Sequence, residues 1–184
     1  MFSNKYKQTL SKSIEFHNKS VTWDGGGSYQ YIKQLQEIIK QYNCKTMLDY
    51  GCGKGTQYSG DELDFAQLIG INSYNLYDPA YEKYKELPVG KWDLTVCLDV
   101  LPFIPEEDID VVKNLMLSMT NTLCVVGLHS DLQARKSKKP FVCIKSEEWW
   151  EEKLQDDKLK ILWIGPQEPF DVIKFAERLK SGVF

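Results

Sequence analysis

The chain has 184 residues, of which 42% are hydrophobic and 27% charged, a length and balance that suit one globular domain with its own core and exclude a disordered or fibrous chain. Its net charge of −3 gives no general attraction to phosphate backbones, so nucleic acid is a disfavoured partner. Five cysteines without C-x-x-C spacing read as reduced thiols, and no metal site is expected. The basic run at 135–139, ahead of Pro140, reads as a solvated loop. No stretch is apolar enough to span a membrane, and the N-terminus lacks a signal-peptide layout, so a cytoplasmic location is expected.

Residues 1–27 are polar, carry scattered aromatics, and end in Trp23, Asp24 and a triple glycine, which predicts a lead-in segment closed by a flexible turn. Ser28 can cap a helix over 29–42, where Tyr29, Ile32, Leu35, Ile38, Ile39 and Tyr42 recur at three- and four-residue steps. Residues 1–45 are therefore taken as an N-terminal lead-in and helix, and 46–184 as the main domain. The run TMLDY at 46–50, stopped by Gly51, predicts a buried parallel strand. Leu63, Phe65, Leu68 and Ile69 suggest a ragged helix over 58–70, and 74–77 a second strand stopped by Asp78 and Pro79.

A third strand is expected at 94–98, and Pro105 followed by Glu106, Glu107 and Asp108 opens a helix running to Met119. A fourth strand follows at 123–128, and Ser146 is a good N-cap for a helix over 147–154. The runs 159–164 and 170–175, separated by Gly165 and Pro166, read as an antiparallel closing pair. Strands and helices thus alternate, and a mostly parallel sheet with helices on both faces buries that pattern best. The fold class is α/β.

The chemistry-bearing signal follows the first strand: Asp49-Tyr50-Gly51-Cys52-Gly53-Lys54-Gly55. Glycines at alternate positions let the backbone turn sharply and approach a ligand closely, with N–H groups free to face a carboxylate or phosphate. The same residues also suit a tight strand-to-helix turn that binds nothing. A dinucleotide loop would place a third glycine where Thr56 stands, and Lys54-Gly55 breaks the Walker pattern. Asp78 lies at the carboxyl end of the second strand, where its two oxygens can accept both hydroxyls of a ribose; a plain turn acid before Pro79 is the alternative.

LDYGCGKG closely resembles the first motif of class I S-adenosylmethionine-dependent methyltransferases, and the segment from Trp92 to Leu101 followed by Ile104-Pro105-Glu106-Glu107 is similar to that family's fourth strand and following helix start. The resemblance implies a Rossmann-like fold and S-adenosylmethionine as cofactor. It implies that Gly51, Cys52, Gly53 and Gly55 wrap the methionine part, that Asp49 helps hold the methionine ammonium, and that Asp78 with Pro79 meets the ribose. It places Asp99, Val100 and Leu101 beside the sulfonium and the acceptor pocket, and it makes residues 1–45, with Trp23, Tyr29 and Tyr31, a candidate lid; that these aromatics simply pack the N-terminal helix is the equal alternative.

Two departures qualify the likeness. Pro102 and Phe103 stand where the family often carries an acid and a His, so no base can be carried over there. Only thirteen residues separate Pro79 from Asp93, too few for the family's usual further strand, so one edge strand of the usual seven should be missing. That compactness, with the Trp149-Trp150 pair, is similar to small methyltransferase-like proteins of phage genomes, which would work in the host cytoplasm. The expected function is methyl transfer to an unidentified, small-molecule acceptor. His129, after the fourth strand, is the candidate base, and His17 a lesser one; a lone His of this kind is more often incidental. A lyase or hydrolase consuming the same cofactor, and a non-catalytic module binding it, remain as alternatives, with a nicotinamide dehydrogenase disfavoured by Thr56.

Overall fold

The computed structural model describes residues 1–19, 26–59, 64–128, 141–156 and the backbone of 160–164. Five strands form one sheet: β1 (Thr46–Tyr50), β2 (Ser73–Tyr77), β3 (Trp92–Leu98), β4 (Thr120–Gly127) and β5 (Lys160–Ile164), in the order β2-β1-β3-β4-β5. All four pairings are parallel. The architecture is a Rossmann-like α/β sheet. Its strand order reverses between β1 and β3, the place where a doubly wound sheet opens a crevice at its carboxyl edge.

Alternation along the strands explains why both faces are covered. Leu48, Cys97, Cys124 and Val126 point into a core shared with α1 (Asn4–Lys19), α4 (Ile109–Ser118) and α5 (Glu147–Leu154), which contribute Tyr6, Met116 and Trp150. Their neighbours Met47, Leu94, Val96 and Val125 point the other way, against Leu35 and Ile38 of α2 (Ile32–Tyr42) and Phe65 of α3 (Phe65–Leu68). Parallel strands buried on both faces need this continuous apolar run. No strand lies between Tyr77 and Trp92, where only a 3-10 turn, Glu82–Tyr84, is found.

The structure corrects two expectations and leaves a third outside the described residues. The lead-in segment is a helix, α1, whose first turn is capped by Ser3: its Oγ accepts from the Tyr6 N–H at 3.0 Å. The helix expected over 58–70 is one turn, α3, with 60–63 outside the described residues. Asp64 and Gln67 close a capping box at its start, and Gly70 at φ 86° ends it, the Ile71 N–H bonding back to the Ala66 carbonyl at 2.8 Å. β5 runs parallel to β4; the other half of the expected antiparallel pair, 170–175, lies outside the described residues. The helix over 29–42 is α2 preceded by a 3-10 segment, Gly26–Tyr31, and α5 starts at the expected Ser146 cap, whose side chain accepts from the Trp149 N–H.

Candidate functional site

The glycine loop leaves β1 at Tyr50 with Gly51, Gly53 and Gly55 at φ 92°, 62° and 68°, backbone that glycine alone adopts at no steric cost. A Cβ on Gly51 would run into Val100, with Cγ1 at 2.9 Å, and one on Gly55 would lie 2.7 Å from Tyr84 Cε2. The loop hangs from β2: the Gly51 and Cys52 N–H groups both donate to the Tyr77 carbonyl, at 2.7 and 3.2 Å. Asp78 completes the suspension, its Oδ2 accepting the Gly53 N–H and its Oδ1 the Ala80 N–H, both at 2.8 Å.

Above this loop lies a cavity of about 590 Å³, within the range of small-molecule sites. Gly51, Gly53, Asp78, Pro79, Asp99 and Val100 line it, so the ends of β1, β2 and β3 converge on one space. Asp49, Cys52, Gly55 and Leu101 do not line it. The opposite wall is α1, through Tyr6, Thr9, Leu10, Ser13, Phe16 and His17, and Phe103 and Ile104 close the side beyond β3.

Three carboxylates stand at these strand ends in different surroundings. Asp49 is only 2% exposed and lies beneath the loop, where its Oδ2 accepts from the Tyr58 hydroxyl at 2.8 Å and from Gln57 Nε2 at 3.4 Å. Burial pushes its carboxyl up to about 7, against the lowering effect of the Tyr58 bond. Asp78 is raised by burial to about 6, partly offset by the Ala80 and Gly53 N–H groups.

Asp99 has φ 59°, uncommon for a residue with a side chain. Its N–H donates to the Gly127 carbonyl at 2.9 Å, Tyr31 Oη–H donates to Oδ1 at 2.9 Å, and Gln30 Nε2 to Oδ2 at 3.1 Å. Gly27 lies close by, its Cβ position 3.9 Å from Asp99 Oδ2. The 3-10 segment therefore crosses the end of β3 and fixes that carboxylate. Burial and the carboxylate both push the Tyr31 hydroxyl far above its usual range, so it stays a donor.

His17 is buried at the cavity wall, and desolvation, with the charge of Lys54 behind it, lowers its imidazole to about 4. It is neutral at physiological pH. His129 and Trp23 lie outside the described residues. Of the two tyrosines named with Trp23, Tyr31 is buried on Asp99, whereas Tyr29 is half in solvent and meets the Phe65 ring edge-on.

Sequence reasoning missed the α1 wall. The signal was present: Tyr6, Thr9, Leu10, Ser13, Phe16 and His17 recur at three- and four-residue steps. Two hydroxyls and an imidazole on that stripe blur it as a core face, although a helix facing a polar cavity has reason to mix such residues with apolar ones. No family model, curated protein or solved structure matches the chain.

Proposed function

We propose that the protein binds S-adenosylmethionine in this cavity and transfers its methyl group to a small-molecule acceptor. The observation that carries the reading is the convergence of the Gly51 to Gly55 loop, Asp78 and Asp99 on one cavity at the carboxyl edge of β1, β2 and β3. These are positions that the sequence motifs single out independently. The loop fits such a ligand because its close approach depends on missing side chains: Gly53 faces the cavity at φ 62°, and Gly51 has no room for a Cβ.

The cofactor supplies an electrophilic methyl group on a sulfonium. The chain's own residues bind, orient and exclude water. Asp78 is held rigidly by two backbone N–H groups, and a carboxylate has about four acceptor sites, so it can still receive ribose hydroxyls. Leu10 and Phe16 of α1, together with Phe103 and Ile104, give the cavity apolar lining that keeps water from the reacting atoms. Transfer in line with a leaving group needs alignment above all. His17, neutral and buried at the wall, can accept a hydrogen bond from an acceptor hydroxyl or amine.

Calorimetry tests binding: S-adenosylmethionine and S-adenosylhomocysteine should bind, and NAD should not. Product analysis then tests the class. With a cell extract as acceptor source, S-adenosylhomocysteine should form only when the extract is present. Methylthioadenosine released without extract would make the protein a lyase, and binding with no turnover on any extract would make it a non-catalytic module.

A further inference from the structure

The glycine loop spends its N–H groups on itself. Those of Gly51 and Cys52 donate to the Tyr77 carbonyl, that of Gly53 to Asp78 and that of Gly55 to the Cys52 carbonyl, at 2.7 to 3.2 Å. A loop of this kind commonly turns such groups toward an anion. The two acids that line the cavity, Asp78 and Asp99, can only accept hydrogen bonds when ionised, and among the described residues no Lys or Arg lines it. The carboxylate of an amino-acid ligand must therefore find its donors among neutral side chains.

Two buried hydroxyls meet that need. Tyr50 ends β1 and Tyr6 lies in the first turn of α1; both line the cavity, although they are only 2% and 6% exposed. Neither hydroxyl has a hydrogen-bond partner among the described residues, and neither oxygen is sealed off, so the little surface that each residue keeps includes it. Buried tyrosine hydroxyls usually do have a partner. Packing fixes the two rings within one core cluster: Tyr6 stacks on Phe2 with centroids 3.9 Å apart, and Tyr50 meets Tyr77 at 5.0 Å. Burial pushes both hydroxyls above their usual range, so they keep their protons and donate. The remaining aliphatic hydroxyls at the cavity differ. Thr9 and Ser13 are only partly buried, so water can serve them, and Ser28 follows Gly27 on the segment beside Asp99.

We infer that the Tyr6 and Tyr50 hydroxyls, in place of the loop's N–H groups, are the donors that hold the carboxylate of the bound ligand. The assignment rests on the proposed reading of the cavity and adds a subsite to it. The loop then contributes close approach without side chains, Asp78 receives the ribose, and the amino-acid end of the ligand turns its carboxylate toward α1 and the end of β1.

The test compares two probes that differ only in that group: S-adenosylhomocysteine and its decarboxylated analogue, which keeps the adenosine and the ammonium. Calorimetric dissociation constants are measured for the wild type and for Tyr6→Phe, Tyr50→Phe and Ser28→Ala. Each Tyr→Phe change should weaken S-adenosylhomocysteine by about 10- to 100-fold, the scale of a hydrogen bond to a charged group, and leave the analogue within about twofold. Because neither hydroxyl bonds to the protein, both variants should unfold at the wild-type urea concentration. Ser28→Ala should leave the ratio of the two constants unchanged. Equal losses for both probes, no loss in either Tyr→Phe variant, a lowered urea midpoint that reveals a bond inside the protein, or a selective loss in Ser28→Ala would each overturn the assignment. A wild type that binds the analogue as tightly as S-adenosylhomocysteine would overturn it alone, whereas one that binds neither would overturn the adenosine reading of the cavity and the assignment with it.

Discussion

Replacing Gly51 with Ala is the sharpest test of how the loop is built. At φ 92° an L-residue is strained, at a cost of about 1–2 kcal/mol. The new methyl would also meet Val100, whose Cγ1 is 2.9 Å and Cβ 3.1 Å away with Cγ2 nearer still, and overpacking of this kind typically costs about 1–3 kcal/mol. Together they predict a loss of about 2–5 kcal/mol in urea unfolding. The two parts are separable, because Val100→Ala removes Cγ1 and Cγ2 but leaves the backbone strain in place. In a double-mutant cycle, Gly51→Ala combined with Val100→Ala should recover about 1–2 kcal/mol relative to additivity. A cycle that closes to within about 0.5 kcal/mol, or a single Gly51→Ala variant as stable as the wild type, would refute the claim that Val100 and the left-handed backbone dictate glycine here.

Other outcomes follow from the same bonds. On the proposed reading of the cavity, Asp78→Ala should weaken S-adenosylhomocysteine binding by about 2 kcal/mol or more in calorimetry, because it would remove the proposed ribose acceptors and frees the Gly53 and Ala80 N–H groups; unchanged affinity in a folded variant would count against both roles. Asp49 has its carboxyl raised to about 7, so the folded state holds its proton more tightly than the unfolded chain does. That contribution to stability is full below about pH 4 and is lost as pH rises through 7, by up to about 1.4 kcal/mol per pH unit. Urea titrations from pH 4 to 8 should show a fall that Asp49→Asn flattens. Asp108→Ala should release the start of α1, because the buried Asp108 carboxylate accepts both the Ser3 N–H, at 2.8 Å, and the Ser3 hydroxyl; amide exchange over residues 6–10 should quicken while that of β3 stays unchanged.

Most of the sheet was legible because buried parallel strands leave an apolar signature: β1 is found at the expected residues, β2 and β3 contain theirs with one or two residues added at the start, and β4 starts three residues before the expected 123–128 and ends one residue short of it. The capping chemistry of Ser146 was equally plain. The helix expected after the glycine loop was not recoverable, because Leu63, Phe65, Leu68 and Ile69 signal burial but not where capping ends a helix, and Asp64 and Gly70 bound a single turn. At the site, the glycines and Asp78 could be found from local sequence since each sits at a strand end. The partners of Asp99 could not, because Gln30 and Tyr31 are 69 and 68 residues away and meet it only when the sheet forms. The same holds for α1, whose cavity-facing stripe acquires its meaning from what lies across from it.

The suspension of the glycine loop from Tyr77 and Asp78 has a dynamic consequence. Among the described residues, β2 is one of the two edge strands, paired only with β1, and terminal strands of a sheet tend to open by local fluctuations well below the global unfolding energy. The loop's N–H groups at Gly51, Cys52 and Gly53 all end on that strand or the residue after it. Fraying of β2 therefore dismantles the loop while the centre of the sheet stays intact. A ligand gripping the loop stabilises the closed form by mass action, so its arrival should be felt as slower amide exchange along Ser73–Tyr77, a strand whose outer edge never touches it.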